Sequence, residues 1–445
     1  MKPKQLLLYF SLFIVIGGFV YFYEYEGGQT REAAQEWANK TFKIASPDSI
    51  VGLSIQNAKG TYSAVRMGED WEINAPLNTA GEAAQWNGIA GKIAEATTDR
   101  EITDKLTNLG AYGLDNPRVT VKMTLGDGSQ KTLLVGYESK VSKGGATTFV
   151  KWADSTRIVT TSNSLFTQLD KSLFDLRNKS IFSVDQPRVG KITLVGDKEK
   201  VVLEKIANRW MITEPVLLPA MPNAISSMIS GFNGLKARDF VEEEPTSLKP
   251  YQLDKSARRV IFQYDDGSTR EEIRIGKQRS EDELFIHWLG KHPVAIIDTN
   301  QAKRFAKSAF DFQEKKLKSF DMNLVDRFTI VGENPLAIHK KDSTGWFSSN
   351  GDSLDTEKVE SLLRSLNTLQ ADKVGDYNAS NLVQYGLSSP KMVISAYHQD
   401  TVLASILVGA ETTDEFFVKA ADSPHVYVVQ NWRIKNLQKS IESLQ

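Results

Sequence analysis

At 445 residues the chain is too long for one ordinary core, and at about 150 residues per domain its length anticipates roughly three units. Hydrophobic residues at 41%, charged residues at 24% and only 14 prolines exclude a disordered chain, which would lack the apolar surface to offset the entropy of ordering. The 54 basic and 55 acidic residues nearly cancel, so no cationic field exists for a polyanion and nucleic acid is excluded as the expected partner.

Residues 1–5 carry Lys2 and Lys4 ahead of Leu6 to Tyr23, a run of 18 residues without a charge. At 1.5 Å per residue such a helix covers about 27 Å, close to the hydrocarbon thickness of a bilayer. Residues 6–23 are therefore expected to span a lipid bilayer once, with Tyr9, Tyr21 and Tyr23 at its interfaces. Lysines before the run and Glu24 and Glu26 after it keep residues 1–5 in the cytoplasm and send the rest across, by the positive-inside rule. The bulk of the chain is therefore expected to be extracytoplasmic. A cleaved signal peptide is the rival reading, but its apolar core would be shorter and would end in a small-x-small site rather than YFYEYEGG. The chain has no cysteine, which excludes a lipoprotein anchor, disulfides and thiolate metal sites. Residues 24–47 read as a juxtamembrane linker, in which Ala34, Trp37 and Ala38 have the spacing of an amphipathic turn.

Beyond the linker the chain repeats itself three times. A tryptophan expected at the end of a strand recurs in WEINAP at Trp71, WMITEP at Trp210 and WFSSNG at Trp346, separated by 139 and 136 residues. A turn follows each, LGAYGL with Tyr112, LKPYQL with Tyr251 and LVQYGL with Tyr385, at 41, 41 and 39 residues. A strand expected to end in glycine comes next, at Gly136, Gly276 and Gly409, after a further 24, 25 and 24 residues. Expected repeat boundaries are 48–184, 185–322 and 323–445. Each repeat opens with a strand (Ile50 to Ile55, Lys191 to Val195, Arg327 to Val331). After the tryptophan comes a helix with an apolar stripe at three-four spacing: Ala83, Trp86, Ala90 and Ile93; Ile225, Met228, Phe232 and Leu235; Val359, Leu362, Leu366 and Leu369. Period-two strands follow the tyrosine turn at Val119 to Leu125, Val260 to Tyr264 and Met392 to Tyr397, two of them leading into Asp-Gly hairpin turns at Gly128 and Gly267. A second helix is expected to close each repeat. The fold class is α+β: a transmembrane helix, then three tandem homologous units of mostly antiparallel sheet with packed helices.

Repetition sorts candidate sites, because a residue type found at one place in all three repeats is most simply a folding residue. The tryptophans and tyrosines are thus core and turn residues rather than an aromatic ligand box. Asp265 and Asp266 fall where the first repeat has Gly126 and Asp127, so turn chemistry explains them better than acid–base catalysis. None of the five histidines has metal-ligand spacing; His287 aligns with Lys151 and Lys419 and is expected on a wet face, with His292 five residues on. Glu242 to Glu244 and Lys315, Lys316 and Lys318 read as solvated faces. No nucleophile elbow, phosphate loop, zincin helix or dinucleotide fingerprint occurs. No catalytic, cofactor-binding or metal residue is assigned, no cofactor is expected, and the chain is not expected to be an enzyme.

With the apolar run, the W-x-I-x-x-P strand, the L-x-x-Y-G-L-x-x-P turn (Leu109 to Pro117, Leu382 to Pro390) and the DLRNKSIF segment (Asp175 to Phe182), the chain resembles bacterial proteins of the domain of unknown function 4340 (DUF4340) family. The middle repeat departs from that turn, LKPYQLDKS replacing both its glycine and its proline. The resemblance implies a single-span envelope protein, often encoded beside an ABC-type exporter and a gliding-motility-type auxiliary protein. It brings no reaction with it. The expectation is a non-catalytic accessory or binding subunit whose partner is an ABC permease or auxiliary envelope protein. The alternatives are an envelope hydrolase without a familiar motif and a passive structural spacer.

Overall fold

The computed structural model describes residue 21 and residues 34–445 apart from 103–107, 140–144, 198, 255–257, 268–269, 292, 342–344 and 440. The expected span at residues 6–23, Tyr21 apart, lies outside the described residues, as does His292. Among the described residues no helix is long and apolar enough to cross a membrane.

The first repeat folds as nine strands: β1 (Ile50–Asn57), β2 (Gly60–Met67), β3 (Asp70–Ala75), β4 (Thr79–Ala80), β5 (Arg100–Ile102), β6 (Val119–Leu125), β7 (Gln130–Ser139), β8 (Thr147–Trp152) and β9 (Ile158–Ser162). They form one sheet in the order β4-β3-β2-β1-β6-β7-β8-β9-β5, and the same order recurs in the second and third repeats. Every ladder of the first sheet is antiparallel. Two meanders built from short turns meet where β1 pairs β6. The helix Ala83–Ala94 carries the chain from the β4 edge to β5 at the opposite edge. Crossing one face in this way, it buries Trp86, Ile89, Ala90, Ile93 and Ala94. The counterparts Pro222–Asn233 and Thr356–Asn367 bury Ile225, Met228, Ile229 and Phe232, and Val359, Leu362, Leu363 and Leu366. Leu235 and Leu369 complete the expected stripes but lie past the last helical residue. The strand expected at Val119 to Leu125 spans those residues, with its inward positions Val119, Val121 and Met123 buried.

The expected second helix is instead a set of short pieces, Ser164–Leu169 and Leu173–Leu176 in the first repeat and Asn431–Lys435 and Ile441–Leu444 in the third. Each repeat then closes on the residue that caps its crossing helix: Glu82 N–H donates to the Leu176 carbonyl, Met221 N–H to Phe312, and Asp355 N–H to Leu444. The chain ahead of the first sheet is part of its core. Phe42 and Ile44, in the stretch expected as linker, are buried there, and the Thr41 N–H donates to the Ala96 carbonyl. Ile181 donates to Leu235 and Leu317 to Leu369 in the same manner.

By density of contacts the chain divides into two compact units, Met1–Lys179 with the first sheet and Ser180–Gln445 with the second and third. Within the latter, the segment after Phe312 bridges both sheets: Gln313 pairs with Ala220 beside the second repeat's edge strand, and Lys316 pairs with Gln370 in the third.

Candidate functional site

The recurring landmarks prove to be one local device. A Cβ on Gly136 would stand 2.1 Å from the Tyr112 carbonyl, one on Gly276 2.1 Å from that of Tyr251, and one on Gly409 2.2 Å from that of Tyr385. The tyrosine turn therefore lies directly on the strand, and only glycine admits it. Its ring packs on a phenylalanine each time, Tyr112 on Phe149, Tyr251 on Phe285 and Tyr385 on Phe417, with centroids 4.9, 4.9 and 5.1 Å apart. The glycine does not end the strand as expected. Strands Gln130–Ser139, Arg270–Ser280 and Thr401–Glu411 run past it through a register shift. In the second and third repeats the tyrosine hydroxyl donates to Glu242 (2.7 Å) and Asp376 (3.2 Å). The Glu242 hydrogen bond raises the Tyr251 phenol above its ordinary range; burial, then Asp376, does so for Tyr385.

The tryptophans open their strands rather than end them as expected, and they share that place but not an environment. Trp71 is buried and stacks on Trp86 at 5.6 Å; Trp346 is buried too. Trp210 is only half-buried, with the Lys205 ammonium 5.5 Å from its ring centroid.

Two carboxylates with lowered pKa values sit in helix caps, while Asp282 and Asp422 are lowered by Arg238 and Lys318. Asp175 closes a capping box with Ser172, and the Ser172 hydroxyl and N–H hold its carboxyl below the ordinary range. Asp311 does the same with Ser308; burial pushes its carboxyl up, but the Ser308 hydrogen bonds and Lys307 outweigh this and leave it lowered. Asp265 and Asp266 pair with Lys205 (3.2 Å) and Arg188 (2.9 Å) at the hairpin end. Glu272 is 4% exposed and is held by Arg274 (2.7 Å) and Arg270 (2.9 Å).

His287 corrects an expectation. It is 5% exposed rather than on a wet face, with Nδ1 3.3 Å from the Pro293 carbonyl. The aligned Lys151 and Lys419 have long stems that reach water, whereas an imidazole at that place is covered by its neighbours. His398 pairs with Asp326 at 3.2 Å, and His339 is exposed. Among the described residues no group of three histidines, aspartates or glutamates could hold a metal ion.

One polar cluster was not anticipated. Gln313 is 2% exposed and lies between two tyrosines: the Tyr377 hydroxyl donates to its Oε1 (3.0 Å), and its Nε2 reaches the Tyr427 oxygen at 3.5 Å. The His425 Nδ1–H donates to the Tyr377 carbonyl, and its ring meets both tyrosine rings edge-on. Burial raises both phenols, and the charges of Glu199 and Asp311 push Tyr377 further, so both hydroxyls stay protonated near neutral pH. The available signal was divergence: Tyr427 stands in the strand register where the other repeats have Val159 and Ala295. Gln313 pairs with Ala220 of the second repeat and meets Tyr377 and Tyr427 of the third, so the cluster joins the second and third sheets.

Among the described residues, two surface cavities are lined mainly by the third repeat. One, about 410 Å³, includes the Lys318–Asp422 ion pair and the backbone around Leu403 and Ser405. The other, about 210 Å³, has Lys391, Glu411, Glu333 and Lys435 in its wall.

A family profile with the description "Domain of unknown function (DUF4340)" matches residues 71–212, 210–354 and 348–445. Each of the first two matches starts at or beside one repeat's tryptophan strand and ends in the next repeat, out of phase with the sheets. A search of the curated proteins found no match to the chain.

Proposed function

The chain belongs to the DUF4340 family, and from that premise we propose that it is a non-catalytic, membrane-anchored accessory subunit of an ABC-type transport or gliding-motility-like envelope complex. In this reading residues 6–23 hold it in the bacterial inner membrane and the sheets work outside the cytoplasm, by binding. The observation that carries the reading is the threefold recurrence of one nine-strand sheet whose repeated polar and aromatic groups are spent on turns, caps and core. Tandem modules engage a partner multivalently, and their effective concentration gives avidity without one strong site. The anchor places those modules beside a permease in the same membrane, which is the partner the family resemblance implies. Crosslinking in cells followed by mild solubilisation and purification of the full chain tests this. A polytopic permease should come with it; recovery of the chain alone contradicts the proposal.

A further inference from the structure

The strand registers give a residue-by-residue comparison of the repeats, and one place departs from the shared plan. In the first repeat Val119 pairs Val135, which pairs Val150, and Glu138 pairs Thr148 across the bulge. In the third, Met392 pairs Val408, which pairs Val418, and Glu411 pairs Phe416. Arg118, Glu138 and Thr148 thus correspond to Lys391, Glu411 and Phe416. The second repeat has Gln278 and Leu284 at the last two places and lacks the carboxylate.

The first repeat fills this place with its own side chains. Arg118 Nε donates to the Gly136 carbonyl (2.7 Å) and Nη2 to Thr148 Oγ1 (3.0 Å), while its guanidinium lies 3.8 Å from the Phe166 ring centroid. The third repeat cannot do so. Phe416 offers no acceptor where Thr148 stood, and the shorter lysine makes a single contact, 3.6 Å to Glu411, whose other oxygen accepts from Asn431. The result is the cavity of about 210 Å³. Its wall holds two ammonium and two carboxylate groups, Lys391, Lys435, Glu333 and Glu411, with the apolar side chains of Met392 and Phe416, both 5% exposed. Lys435 and Glu333 are exposed and make no ion pair among the described residues.

We propose that this cavity in the third repeat binds a small zwitterion with an apolar side chain, of the class of a free aliphatic amino acid. A simple anion would be drawn to Lys435 and repelled by Glu333, and a simple cation would meet the reverse. A molecule carrying both charges answers both, and its side chain lies against the small part of Met392 and Phe416 that the protein leaves open. The volume falls below the range of about 300–1,000 Å³ common for drug-sized ligands, which suits a molecule of this size. The inference is independent of the accessory role, since the ligand is read on the purified chain and the permease by retrieval from membranes.

The test is calorimetric titration of the full chain in detergent with L-leucine, N-acetyl-L-leucine and L-leucine amide. L-Leucine should bind saturably, and each blocked form, missing one charge, should bind weaker by about tenfold or more. Lys435→Gln and Glu333→Gln change exposed side chains, so melting should be unaltered while leucine affinity falls by about tenfold in each. Glu333→Gln should also bring N-acetyl-L-leucine level with L-leucine. No saturable binding of L-leucine up to about 10 mM, equal binding of all three probes, or unchanged affinity in both variants would overturn the proposal.

Discussion

The first and third repeats share a strand order and close their cores differently. In the first, Trp71 stacks on Trp86, and the two indole N–H groups are satisfied by the Asn87 side chain (2.8 Å) and the Leu176 carbonyl (2.9 Å). In the third, Trp346 is equally buried, but the helix position of Trp86 is taken by Val359, and Leu362, Leu363 and Leu366 supply the volume. Alternation along the strands and contacts such as the glycine beneath each tyrosine turn fix the architecture, while the inner filling is free to vary as long as volume is kept. The same freedom left Arg118 buttressed in one repeat and a charged cavity in another.

Four sets of substitutions would break or sharpen that comparison. Trp86→Ala removes a fully buried ring and a satisfied N–H, and should cost about 3–5 kcal/mol in urea unfolding, against roughly half that for Val359→Ala. Equal costs would mean that the two cores are not differently filled. Next, Gly136→Ala, Gly276→Ala and Gly409→Ala should each cost about 1–3 kcal/mol, because backbone rather than a movable side chain meets the new Cβ. Unequal losses among the three would sink the idea of one repeated device.

Gln313→Ala addresses what the second and third repeats have and the first lacks. It strips both half-buried phenols of their amide partner and should cost about 1–3 kcal/mol, with faster hydrogen exchange around Gln313 and Tyr377. Protection unchanged at that junction would show that the amide does not tie the sheets together. The smallest effect is expected at the capping boxes, where Ser172→Ala should cost about 1 kcal/mol. Asp175 and Asp311 have folded-state values below the ordinary 3.8, so their contribution is complete above that pH and is lost as pH falls through the lowered values. Ser172→Ala should therefore flatten the acid limb of a stability–pH curve, and an unaltered limb would deny the box its role.

Much of the fold was legible from residue patterns. Period two marked Val119 to Leu125 as a half-buried strand, three-four spacing marked the crossing helices, and the tryptophan, tyrosine and glycine intervals marked the repeats. Non-local events were not legible. Nothing near Arg100 to Ile102 announces that β5 pairs with β9 at the far edge, because that choice belongs to the whole sheet. His287 was assigned to water from its lysine counterparts, although burial depends on what packs above it. The cluster at Gln313 and the cavity beside Lys391 were each written as departures from repetition, at Tyr427 and at Phe416, and their meaning needed the strand register.

The central claim is that these repeats recognise a partner rather than merely hold something at a distance. The most direct measurement replaces residues 317–445 of the full chain with a copy of residues 41–179, each sheet taken with the segment that leads into it, and quantifies the permease retrieved after crosslinking. The account predicts a folded, membrane-bound chain that no longer retrieves the permease at the original level. Undiminished retrieval by the exchanged chain would contradict it and leave a spacer.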